Sequence, residues 1–162
     1  STDPPAPLVR LPVLKESGQA KVTFNERKNE AISQTAFLRV FGKSLDGIGL
    51  VARFTSPGKI VAKPEKIILG ISPAAKDRTY VDDRTVKIFL GKKQLLSSTS
   101  KFVSANSDGR IIVAALEQEI PYKDFIKLSK AKQVKMQIGP TEFELKESDI
   151  QAFSDLLKTI EN

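Results

Sequence analysis

Five lysines, Lys123, Lys127, Lys130, Lys132 and Lys135, crowd one stretch of the chain and form its densest basic cluster. Ammonium groups gathered in this way can neutralise a phosphate backbone or anionic headgroups and release the counterions condensed there. If residues 122–130 are helical, Lys123, Lys127 and Lys130 share one face, because they recur at one-turn and two-turn spacing. A solvated helix face would carry the same residues, relieved by Asp124 and by Glu144 across a hairpin. Base recognition needs, in addition, aromatic platforms among the charges. Trp is absent, and the chain has no RNP-like, KH-like or helix-turn-helix pattern.

Carboxylates are the other chemistry-bearing groups. Asp82 and Asp83 are adjacent, but neighbours in an extended chain point to opposite faces, so a turn or solvent role is expected over metal or acid/base work. Asn106-Ser107-Asp108-Gly109 lacks the length and the Glu of an EF-hand loop and reads as a tight turn. Glu117 and Glu119 share a strand face and are the one pair that a carboxylate-based hydrolase could use, provided they flank a cleft. Tyr80 stands in the polar stretch Ala74–Arg84 beside Arg78 and Arg84, residue types that carry interface energy, and is the aromatic best suited to a surface contact, the other reading being that it caps the sandwich.

What is missing is more decisive. The chain contains no His, which removes the usual general base at neutral pH, the Ser-His-Asp triad and the commonest ligand of transition metals. It contains no Cys, so disulfides, thiolate zinc sites and a Cys nucleophile are excluded. The glycines form neither a Walker A nor a dinucleotide fingerprint. No catalytic, cofactor or metal residue is therefore expected. The candidate interaction surface is Arg78, Tyr80, Arg84, Lys123, Lys127 and Lys130.

The net charge is +7, and the excess is uneven: residues 1–64 carry ten basic and five acidic groups, whereas residues 110–162 carry eight and nine. Such a balance is a mild attraction for phosphate-rich surfaces. A chain of 162 residues is one domain long and can bury about two-thirds of its unfolded surface.

The elements that must position these groups begin with Gln133–Asn162. Val134, Met136 and Ile138 alternate with polar residues, the period of a half-buried strand. Gly139-Pro140 reads as a II′ turn, which would set Met136 against Phe143, Val134 against Leu145 and Lys135 against Glu144. After this hairpin (133–146), Ser148 with Gln151 reads as a capping box, and Ile150, Phe153, Leu156, Leu157 and Ile160 give a helix over 148–161 an apolar stripe. Pro121 is expected to open a short helix over 122–130, with Tyr122, Phe125 and Ile126 as its apolar face.

Upstream, residues 1–19 read as a proline-rich leader or tether, with Pro4, Pro5, Pro7 and Pro12 fixing an extended chain. The start fits a trimmed product of export or an expression boundary equally well. Residues 20–162 read as a single β-rich domain. Residues 25–33 are a polar link open to helix, 36–41 and 48–54 a hairpin around Asp46-Gly47, and 65–71 a strand ending at Ser72-Pro73. Residues 85–90 and a return strand over 94–105 follow, then 110–116, apolar as a strand covered on both faces would be. The phenylalanines fall mostly at expected core positions. Close-spaced strands with Gly-containing turns and only two late helices predict a mainly β (α+β) fold, an antiparallel β-sandwich or rolled sheet with the C-terminal helix packed on it.

The run Pro64-Glu65-Lys66-Ile67-Ile68-Leu69, then Ile120-Pro121 with Phe125, then Val134–Gly139, Phe143, Leu145 and the final amphipathic helix resembles a pattern in uncharacterised bacterial exported proteins of β-rich fold. The resemblance implies an envelope, periplasmic or secreted setting and carries over no catalytic residue. The expected function is a non-enzymatic binding or structural domain with a protein or envelope partner. The alternatives are a cytoplasmic module binding nucleic acid or another polyanion through Lys123–Lys135, and the carboxylate hydrolase.

Overall fold

The computed structural model describes residues 10–43 and 46–161; most of the leader (residues 1–9) and residues 44, 45 and 162 lie outside the described residues. Two antiparallel sheets of unequal width face each other. The larger is built from β1 (Val13–Ser17), β2 (Ala20–Asn25), β3 (Glu30–Thr35), β4 (Leu38–Phe41), β5 (Ile48–Pro57), β6 (Lys66–Ala75), β9 (Lys101–Ser107) and β10 (Ile112–Pro121). Its order is β1-β2-β3-β5-β6-β10-β9, with β4 continuing the lane of β3 along β5. The smaller runs β12-β11-β7-β8, from β7 (Thr85–Leu90), β8 (Lys93–Thr99), β11 (Val134–Ile138) and β12 (Thr141–Glu144). Three helices complete the chain: α1 (Thr79–Asp82), α2 (Tyr122–Lys130) and α3 (Glu147–Leu157). None of the described helices is long and apolar enough to cross a membrane.

The expected hairpin is present with the expected register, Met136 opposite Phe143 and Lys135 opposite Glu144. Gly139 has φ +55 and Pro140 follows it. Pro cannot take a positive φ, so the turn requires one left-handed position, which Gly supplies. Alternation along the strands places Ile67, Leu69 and Ile71 of β6, and Leu50, Ala52 and Phe54 of β5, on one face. That face shares a single core with Val86 and Ile88 of β7 and Val134, Met136 and Ile138 of β11.

The small sheet is too narrow to cover the large one, and the helices fill the remainder. Helix α3 packs on β2, β3 and β5, α2 on β6 and β10, and the two helices pack on each other. Their contact is edge-to-face, Phe125 against Phe153 at 5.3 Å between ring centroids, and both rings are fully buried. The start of α3 differs from the expected Ser148 to Gln151 box. The chain enters the helix two residues earlier, with Lys146 at the N-cap, and Lys146 N–H donates to the Asp149 carboxylate at 3.1 Å. From the third helical position the Asp149 carboxylate thus satisfies the N-cap amide, and its charge suits the helix N-terminus.

Several upstream expectations are corrected. Residues 13–17, assigned to the leader, form edge strand β1, and Pro12 O already accepts from Phe24 N at 3.0 Å. Residues 25–33 are not helical: Asn29, at φ +49, turns the chain from β2 into β3. Strand β6 runs on through Pro73, where its pairing with β10 skips residues 72 and 73, so the missing donor breaks no ladder bond there. The return strand over 94–105 is two strands, β8 and β9, belonging to different sheets and divided at buried Ser100. Residues 110–116 are covered on one face only, since Ala114 and Leu116 are buried while Val113 is 41% exposed. Phe37, Phe41 and Phe102 are surface residues rather than core. On α2 the fully buried side chains are Phe125 and Leu128, while Tyr122 and Ile126 are only half-buried.

One polar contact ties the ends of the chain together. The buried Asp155 carboxylate accepts from Gln19 N and from Gln151 Nε2, each at 2.9 Å. The approach is close because residue 18, between β1 and β2, is Gly: a Cβ there would lie 2.2 Å from Asp155 Oδ2.

Two outcomes follow from this packing. Phe153→Ala should cost about 3–5 kcal/mol in urea denaturation, the range for an aromatic removed from a core; an unchanged midpoint would mean that α3 does not cover the sheet. Asp155→Ala leaves the Gln19 amide without its partner and should cost about 1–3 kcal/mol. Hydrogen exchange should report this first as faster exchange at Gln19.

Candidate functional site

Pro121, extended at φ −54 and ψ 143, precedes the first turn of α2, where its missing N–H is not needed. With Phe125 and Leu128 held inward, Lys123, Lys127 and Lys130 are left on the exposed side. The helix ends at Ala131, extended at φ −72 and ψ 146, and residues 131–133 carry the chain into β11. Lys127 and Lys130 stand in the last turn, where their charge also suits the carbonyl end of the helix.

Lys127, Lys130 and Lys132 line one shallow hollow of about 520 Å³ together with Leu90, Gly91, Ala131 and Gln133. Its second wall is the β7–β8 turn. Gly91 takes φ +60 there, and its N–H donates to Gln133 O at 3.2 Å, fastening the turn to the linker after α2. The next two residues of that turn, Lys92 and Lys93, are exposed. Among the described residues, Lys92, Lys93, Lys127, Lys130 and Lys132 form no ion pair. Glu144, the acid expected to relieve the cluster, instead accepts from Gln133 Nε2 at 2.9 Å.

The fold divides the lysines that the sequence groups. Lys123 borders a different hollow, of about 480 Å³, with Lys63, Pro64, Glu65, Pro121 and Tyr122. Lys135 is ion-paired with Glu142 at 3.9 Å and lies over the Phe89 ring, so it does not join the set. Lys92 and Lys93, which sequence reasoning did not single out, take their place. Their only local signal is Gly91-Lys92-Lys93 at a strand reversal, and their distance from residues 127–132 along the chain hides the grouping.

The Arg78, Tyr80, Arg84 surface does not form. Tyr80 is 7% exposed, so of its two readings the surface contact is corrected and the packing role holds: its hydroxyl hydrogen-bonds Thr141 Oγ1 at 2.6 Å. Its ring also packs beside Gly139, where an added Cβ would meet it at 3.2 Å. Four-residue helix α1 thus holds the hairpin turn from behind. Arg84 is half-buried and donates to Ser100 O at 3.1 Å, while Ser100 N and Oγ both donate to Arg84 O at 2.9 Å. These bonds clamp the corner at which the chain leaves the small sheet for the large one. Arg78 alone stays exposed, with Asp82 at 3.6 Å, a solvated pair of little energetic consequence.

The acids are occupied separately. Asp83 Oδ1 accepts from Thr85 N at 3.1 Å, so it shares no ligand geometry with Asp82. Glu117 pairs with Arg53, which lies over Gly70, and Glu119 pairs with Lys66 at 2.6 Å. These two glutamates border a hollow of about 270 Å³ with Ile68, Ser98, Thr99, Lys101 and Gln118. Each carboxylate there is neutralised by its own cation. No group of three or more potential metal ligands occurs among the described residues.

Asp108 organises the turn between β9 and β10. Its Oδ1 accepts from Arg110 N at 2.9 Å and from Ile111 N at 3.0 Å, and the Ile111 amide foremost holds its pKa below the ordinary carboxylate range. Asp77 is lowered in the same direction, first by the Thr79 hydroxyl and then by the Thr79 amide. A lowered folded pKa means that the contribution to stability is present above the unfolded value and is lost as pH falls through the folded one. NMR titration should find both aspartates deprotonating below the ordinary range. Asp108→Asn should keep the turn, because its amide oxygen can accept both bonds, while removing that part of the pH dependence. An Asp108 midpoint at the ordinary value would show that the turn is not held by its carboxylate. No protein-family model, curated protein or solved structure matches this chain.

Proposed function

We propose that this chain is a non-enzymatic binding module that engages a polyanion through the lysine-lined hollow at the end of α2. The observation that carries this reading is the convergence of Lys127, Lys130 and Lys132 on one hollow, with Lys92 and Lys93 beside it and, among the described residues, no acid ion-paired with any of the five. Unpaired ammonium groups held close together raise each other's electrostatic energy, and an anionic ligand relieves it. Four of the acids that could do chemistry are already committed, Glu117 and Glu119 to cations and Asp83 and Asp108 to backbone amides, which supports binding over hydrolysis. The exported bacterial setting rests on the resemblance over residues 64–160 and is proposed on that ground alone.

Fluorescence anisotropy with a labelled linear polyphosphate tests the reading. Log affinity should fall linearly with log salt concentration. Lys127→Glu with Lys130→Glu should weaken binding and flatten that slope by about 0.7–0.9 per lysine, the contribution of one neutralised phosphate. Binding that ignores salt, or a double variant that binds as the parent does, would overturn it.

A further inference from the structure

Resting on that reading, we infer that the anionic partner is a membrane surface of phosphate headgroups, gripped by two arms: the α2 end (Lys127, Lys130, Lys132) and the β7–β8 turn (Lys92, Lys93). The arms come from segments far apart in sequence, yet the Gly91 to Gln133 backbone bond fixes one against the other. The cations are therefore presented as one set.

The residue types distinguish among anionic partners. Every cation in the set is Lys, and no Arg lines the hollow. The bidentate fork that recognises guanine edges, single phosphates or carboxylates is absent, whereas point charges on flexible stems suit a diffuse anionic field. No aromatic residue lines it either, so bases have nothing to stack on. Protein interfaces are depleted in Lys and anchored by Arg, Tyr and Trp, which disfavours an acidic protein partner. The floor of the hollow is Leu90 and Ala131. Lysine stems can lie along such a floor and direct their ammonium groups outward, the arrangement by which lysines meet an interface. Lysine clusters of this kind bind anionic leaflets through summed, salt-screened attraction. Gly91 leaves the turn unobstructed, since a Cβ there would meet nothing within 4 Å.

Co-sedimentation of the full chain with mixed phosphatidylglycerol and phosphatidylcholine vesicles, against pure phosphatidylcholine, tests the inference. Binding is expected to the mixed vesicles only and to fall as salt is added. Lys92→Glu and Lys93→Glu should each lower vesicle affinity by at least about fivefold, with thermal unfolding unchanged because both residues are exposed. Failure to bind the mixed vesicles while polyphosphate still binds would overturn the membrane partner and leave the polyanion reading standing. Failure to bind either would overturn both. Equal binding to pure phosphatidylcholine would overturn the electrostatic grip, and parental affinity in the Lys92 and Lys93 variants would overturn the second arm.

Discussion

The constraint on which this structure depends is the unequal width of its two sheets. An amphipathic sheet must bury its apolar face, and the smaller sheet cannot cover the larger. Helices α2 and α3 exist in the second layer for that reason, and the Phe125 to Phe153 contact closes the seam between them. Strand β9 shows the same constraint in reverse: it lies at the rim of the large sheet, and all seven of its residues are exposed.

Several polar side chains, two of which suggest recognition in the sequence, serve this packing instead. Tyr80 supports the hairpin turn, Arg84 locks the corner at Ser100, and Asp155 joins the β1–β2 turn to the last helix. Each satisfies backbone or hydroxyl partners in a partly buried place, where an unmade hydrogen bond would be costly. Their chemistry is spent on the fold. The lysines around the end of α2 are not used in this way.

The lysine-lined hollow is a by-product of the same geometry. Because α2 must lie over β6 and β10 and then return to the small sheet as β11, its C-terminal end is brought beside the β7–β8 turn. Two basic segments of ordinary appearance thereby become one surface. The two acids of the neighbouring hairpin strand are engaged elsewhere, Glu142 with Lys135 and Glu144 with Gln133.

What the chain by itself determined is local: the β-rich class, the II′ hairpin and its register, the bounds of α2, and the apolar stripe of α3. Period-2 alternation, a Gly-Pro turn and a Pro before a helix act within a few residues and need no distant partner. The start of α3 was less legible, because its N-cap is Lys146, a residue type that does not signal a helix start, while Ser148 two residues on does. Tertiary structure alone decided that residues 94–105 divide between two sheets, that Tyr80 is buried, and that Lys92 and Lys93 rather than Lys123 and Lys135 share the candidate site. Those outcomes depend on which segments meet across the core, and side-chain burial and charge grouping are properties of that meeting rather than of any window of sequence.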